Sequence, residues 1–163
     1  TRIQKLKNQE YDAIILSLAG LARLNLEHLV TEVLDFKLFL PAACQGAVGV
    51  QALKSSNVLD TFSSINNIQT QMECMAERRV LKNINANCNS PVSIYAKIIQ
   101  DKITLEFEIF DHQGNKIFKK SLADEKQKYL NLSDKLSEEI VSNLGQEKID
   151  ELDKLKNDFD YTP

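Results

Sequence analysis

The chain has 163 residues, 43% of them hydrophobic and 26% charged, with a formal net charge of −3. That length holds one ordinary domain or two small ones, with enough apolar residues for a core. No apolar run approaches the roughly 20 residues that span a bilayer, the start Thr1-Arg2-Ile3-Gln4-Lys5 lacks the apolar core of a signal peptide, and the charge balance gives no reason to expect nucleic acid as a partner.

Thr1 to about Asn8 reads as a short helix with Ile3 and Leu6 on one face and Thr1 as its cap. Tyr11-Asp12-Ala13-Ile14-Ile15-Leu16 is an apolar run of the kind buried on both faces of a parallel sheet. Small residues lead from it into a turn or helix at Ser17–Leu24, and Leu26, Leu29, Val30 and Val33 have helical spacing. Phe36, Leu38 and Leu40 alternate, predicting extended chain before Pro41. The stretch Pro41–Gln51 is rich in small residues and holds two of the five glycines, as suits a crossing between domains or a close backbone approach. From Asn57 to about Asn83 the pattern predicts one broken helix or two, with Ile68, Met72, Met75 and Arg79 at three- and four-residue spacing.

The period then changes to two. Val92, Ile94, Ala96 and Ile98 alternate, as do Ile103, Leu105, Phe107 and Ile109, and a third short strand is predicted near Lys116–Lys120. Turn-forming residues at Gln100-Asp101 and Asp111–Asn115 make this an antiparallel meander. Leu132, Leu136, Ile140 and Leu144 mark an amphipathic helix stopped by Gly145, and Ile149, Leu152 and Leu155 a last helix. Val92, Ile94, Ile98, Leu105, Phe107, Leu136 and Ile140 are expected to share one core.

The predicted fold class is thus α/β to α+β: the end of a doubly wound α/β domain, then a small domain with a three-stranded antiparallel sheet and covering helices. The first 65 residues supply one strand and helices for a sheet whose other strands are missing, so the chain is expected to be the tail of a longer one.

Three widely spaced cysteines, Cys44, Cys74 and Cys88, without a Cys-x-x-Cys pair, disfavour a disulfide framework and a tetrahedral zinc site. No metal is expected, and the setting is expected to be reducing and cytoplasmic. Cys74, between Met72 and Met75, reads as core; Cys44 is given no role. Cys88 lies among Asn85, Asn87, Asn89 and Ser90, between a helix and the strand after Pro91, so it reads as an accessible loop thiol. His28 reads as a helix-surface residue and His112 as a solvated turn residue; neither is taken as a base. Arg78 and Arg79 after Glu77 read as helix-surface ion pairs, and the runs Asp124-Glu125-Lys126 and Asp158–Tyr161 as solvated surface.

Four motifs occur in one order: Thr1-Arg2 with Tyr11-Asp12-Ala13; Ala19-Gly20-Leu21 with Arg23-Leu24; Leu40-Pro41-Ala42 with Gln45-Gly46-Ala47; and Ala76-Glu77-Arg78 leading to Cys88 and Pro91. Together they resemble the C-terminal half of porphobilinogen deaminase (hydroxymethylbilane synthase). The resemblance implies a transferase of tetrapyrrole (haem) biosynthesis that condenses porphobilinogen head to tail into hydroxymethylbilane with release of ammonia. It implies a dipyrromethane cofactor held on Cys88 through a thioether, Arg2 and Arg23 binding the carboxylates of cofactor and substrate, and Gln45 as a weaker substrate contact. It also implies the end of a second domain at 1–40, a crossing and return to the first domain at 41–65, and a C-terminal domain at 66–163.

The family's catalytic aspartate is expected upstream of Thr1, so no catalytic residue is assigned within the chain and the chain alone is expected to be inactive. The full-length protein is expected to be a cytoplasmic monomer with no membrane partner. Ala86-Asn87 and Cys44 stand where the family usually has glycine. Without the resemblance, Arg2 and Arg23 read as solvated helix arginines. The competing function is a non-catalytic fragment or degraded paralogue that binds an anionic ligand or a partner subunit.

Overall fold

The computed structural model describes residues 1–87, 90–111 and 113–154, without the side chains of 153 and 154, and its backbone divides into two compact units, Thr1–Asp35 and Phe36–Pro163. Cys88, His112, Leu155 and the acidic tail, all singled out above, lie outside the described residues.

In the first unit, α1 (Arg2–Lys7) and α2 (Leu18–Arg23) are joined by an extended stretch. Ser17 caps α2, its hydroxyl accepting from the Gly20 N–H at 3.3 Å; Thr1 makes no such bond to α1. The strand expected at Tyr11–Leu16 does not form. A strand needs a hydrogen-bonded neighbour, and none lies among the described residues of this unit, so Tyr11 and Ile15 are 52% and 64% exposed. The helix expected around Leu26–Val33 contracts to a 3-10 turn at Glu27–Leu29, with His28 exposed.

The second unit opens with a turn at Phe36–Phe39 where extended chain was expected. The helical stretch is two helices, α3 (Leu59–Ser64) and α4 (Ile68–Asn83), and the Asn67 side chain caps the second by accepting from the Thr70 N–H at 2.9 Å. Strands β1 (Val92–Ile99), β2 (Lys102–Phe110) and β3 (Lys116–Glu125) form an antiparallel sheet in that order, with Ile94 opposite Phe107 and Leu105 opposite Leu122. β3 runs five residues beyond the sequence expectation, carrying Leu122 into the pairing. Helix α5 (Tyr129–Leu144) ends at Gly145, whose N–H still donates to the Val141 carbonyl at 2.8 Å and whose φ of 77° then turns the chain out of the helix, and α6 (Gln146–Lys154) follows.

Helix α4 packs on β1, α5 on β3, and the two helices on each other. Ile94, Ala96, Ile98, Ile103, Leu105, Phe107, Leu136 and Ile140 share one buried core with Ala76, Val80 and Ile84, and Val92 packs at its margin. The helices approach closely because small residues face each other: the buried Ser133 hydroxyl donates to the Ala76 carbonyl at 2.9 Å. The stripe of α4 that faces this core is therefore Ala76 and Val80, continued by Ile84 just past the helix end, while Ile68 and Met75 are 63% and 42% exposed.

Candidate functional site

In the first unit, Arg2 lines an open depression with Ser17, Gly20, Leu21 and Leu24. Arg23 sits in the last turn of α2, exposed and outside that lining. Among the described residues neither guanidinium has an acidic partner, whereas Arg79 does. Two unpaired arginines in one small unit suit a ligand that carries carboxylates, because the planar guanidinium can bind both oxygens of one.

In the second unit the segment 41–47 lies against α4 and the free edge of β1. An edge strand presents unpaired N–H groups at every second residue, and here all three inner ones are met. The Ile94 N–H donates to the Pro41 carbonyl at 3.1 Å, Ala96 to Glu77 at 2.8 Å and Ile98 to Glu73 at 2.7 Å. The second oxygen of Glu77 accepts from the Cys44 N–H, so one carboxylate joins α4, β1 and the 41–47 segment. Glu77 is only 5% exposed. Burial pushes its carboxyl above the usual carboxylate range, against the lowering effect of the Ala96 and Cys44 N–H groups.

The segment itself turns through Cys44 at φ 58° and Gly46 at φ 85°. The left-handed conformation at Cys44 is one that glycine adopts at no steric cost and other residues adopt rarely. Gln45 is exposed beside this turn and lines a cavity of about 170 Å³ with Cys44, Cys74, Glu73, Glu77 and Tyr95. Tyr95 stacks face to face on Phe36 with ring centres 4.8 Å apart. Among the described residues of the loop after α4, Asn85 is left-handed, at φ 57°, and Ala86 is not, so alanine at 86 carries no positive-φ strain.

Several sequence expectations change with this geometry. Glu77 does not pair with its arginine neighbours; it holds backbone. Arg79 instead reaches Asp134 on α5 through two N–H groups at 2.7 and 2.9 Å, and Asn83 donates to the same carboxylate. Cys74 is half-buried at the cavity rather than in the core. Among the described residues no three metal-ligating side chains come together. Glu73 and Glu77 were missed as functional positions; their signal was a pair of glutamates four apart along the edge of a buried stripe.

Residues 1–61 match the family model described as porphobilinogen deaminase, dipyromethane cofactor binding domain, and residues 71–142 that of the porphobilinogen deaminase C-terminal domain. The chain belongs to the porphobilinogen deaminase family. It is 37% identical over 142 residues to a porphobilinogen deaminase of Clostridium kluyveri, covering 87% of this chain and 48% of that protein. It is 36% identical over 143 residues to one of Clostridium botulinum (strain Langeland), covering 88% and 49%, and 36% identical over 141 residues to one of Clostridium beijerinckii, covering 86% and 48%. The chain thus spans about half the length of the curated relatives it matches. The three-stranded antiparallel sheet with covering helices, consistent with the family's C-terminal domain, is the one the residues predicted. No helix among the described residues is long and apolar enough to cross a membrane.

Proposed function

We propose that this chain is part of a cytoplasmic transferase that condenses porphobilinogen head to tail into hydroxymethylbilane with release of ammonia. The observation that carries this reading is the ordered match of both family models along one chain. Each ring of the substrate brings two carboxylates, and Arg2 and Arg23, which have no acidic partner among the described residues, are suited to hold them. Cys88 is the proposed attachment point of the dipyrromethane, through a thioether that its sulfur forms at an electrophilic methylene. When bound, that group supplies the pyrrole end on which the product chain is built.

The residues of this chain then bind and position. Arg2 and Arg23 fix carboxylates, Gln45 offers an amide beside the 41–47 turn, and Glu77 holds that turn against β1. No carboxylate here is assigned to proton transfer: Glu77 is occupied by two backbone N–H groups. We place the end of a second domain at 1–40, a crossing and return segment at 41–65, and the C-terminal domain at 66–163. The return segment is supported by Val48, Leu53 and Ile65, which are 92%, 78% and 69% exposed and need an apolar partner. The 163 residues alone are read as inactive, and the protein of the family's full length as a monomer.

Porphobilinogen consumption and ammonia release should be assayed with the 163-residue chain and with a chimera in which the Clostridium kluyveri relative supplies the length not covered here. Activity in the chimera alone is the expected result, and an inactive, folded chimera would refute the transferase reading. Binding of a polycarboxylate by that inactive chimera, lost on replacing Arg2 and Arg23, would favour the non-catalytic anion binder, a reading the two unpaired arginines also support.

A further inference from the structure

The cavity between the 41–47 segment, α4 and β1 holds two thiols for which neither the family reading nor the fold has a use. Cys44 is presented from a left-handed turn pinned on both sides, by the Ile94 N–H on the Pro41 carbonyl and by Glu77 on its own N–H. Glu77 lies one helical turn beyond Cys74, so Cys44 is held over the turn of α4 that carries Cys74. Its Sγ comes within 3.7 Å of the Cys74 carbonyl oxygen. Both residues are half-buried, in reach of a small solute entering the cavity and shielded from a large one.

We propose that Cys44 and Cys74 form a reversible disulfide when a hydroperoxide enters this cavity, tying the 41–47 segment covalently to α4. One sulfur gives an electron pair to a peroxide oxygen, the O–O bond breaks, and a sulfenic acid and one molecule of water (an alcohol, for an organic hydroperoxide) are formed. The second sulfur attacks the first, the S–S bond forms as the S–O bond breaks, and the second thiol's proton leaves with the hydroxyl as water. Overall, two thiols are oxidised and one hydroperoxide is reduced. Burial first, then the neighbouring Cys74 and Glu77, push the Cys44 thiol up to about 11 against the opposing effect of Arg78, which makes this a slow responder rather than a catalytic thiol. The pair needs no contribution from the rest of the family's length, since both residues belong to the Phe36–Pro163 unit.

The three cysteines fall in separate tryptic peptides, 38–54, 55–78 and 83–97, so the pairing can be read directly. The chain is treated with hydrogen peroxide, its remaining thiols are alkylated, and the digest is analysed by mass spectrometry. The expected product is a cross-linked 38–54/55–78 peptide two hydrogens lighter than its parts, lost on treatment with dithiothreitol. In the Cys88→Ser variant, which leaves only this pair, oxidation should raise the thermal midpoint and reduction should restore it. Recovery of both peptides alkylated after exposure, a link to 83–97 in place of this one, or a midpoint unmoved by oxidation would overturn the proposal.

Discussion

Replacing Glu77 with Ala removes the acceptor of two backbone N–H groups at once, those of Ala96 and Cys44. Ala96 is 2% exposed, so its N–H finds no water and its loss of a partner costs about 1–3 kcal/mol. Cys44 is half-buried and its N–H is rehydrated in part, at about 1 kcal/mol. The Ala variant should therefore be destabilised by about 2–4 kcal/mol. Gln at the same place keeps one carbonyl for one N–H and turns an NH₂ toward the other, but it also removes a charge from a buried site. It should lose about 1–2 kcal/mol. Urea unfolding measures both, with the denaturant slope unchanged because the same surface is exposed on unfolding. Amide exchange at Ala96 should accelerate in the Ala variant while Leu105, in the middle of the sheet, remains protected. An unchanged midpoint for Glu77→Ala, or a larger loss for Gln than for Ala, would refute the clamp.

Phe107 is fully buried, and Phe107→Ala should cost about 3–5 kcal/mol by the same unfolding measurement; a loss under 1 kcal/mol would mean that the core closes over it. Burial raises the Glu108 carboxyl, but Lys116 and Lys119, hydrogen-bonded to it at 2.7 and 2.9 Å, outweigh this and hold it below the usual carboxylate range. Its stabilising effect is thus present above the unfolded value and lost as pH falls below about 4.3. Glu108→Gln should flatten that acid limb in thermal melts and lower stability at neutral pH by about 1 kcal/mol, since both lysines are solvated. Arg23→Leu in the chimera should slow turnover or stall elongation with the unfolding midpoint unchanged, and unaltered kinetics would return Arg23 to the solvated surface.

The meander and α5 were legible because each has one face on the core and one toward solvent, which writes a period of two or 3.6 into the residues. Ile94, Leu105 and Phe107 fall where alternation put them, and Gly145 ends α5 as its type implies. β3 was read too short because its continuation, Ser121–Glu125, is rich in polar and charged residues, yet its backbone still pairs with β2. The α4 face was read off by part of a turn because its inner stripe carries Glu73 and Glu77, and apolar spacing is blind to a carboxylate buried on backbone N–H groups. Tyr11–Leu16 has strand composition but no neighbour to pair with among the described residues of its unit. Arg2 and Arg23 were singled out by resemblance alone; what the structure adds is that neither has an acidic partner among the described residues. The nearness of Cys44 to Cys74 has no local signature, since thirty residues separate them and the contact depends on the Glu77 clamp.

The proposed role of Cys88 is tested most directly by peptide mass spectrometry of the chimera, because each cysteine lies in its own tryptic peptide. A dipyrromethane adduct on peptide 83–97, absent from 38–54 and 55–78 and lost in Cys88→Ser, is the expected result. An active chimera with an unmodified 83–97 peptide, or with the adduct on Cys44, would contradict it.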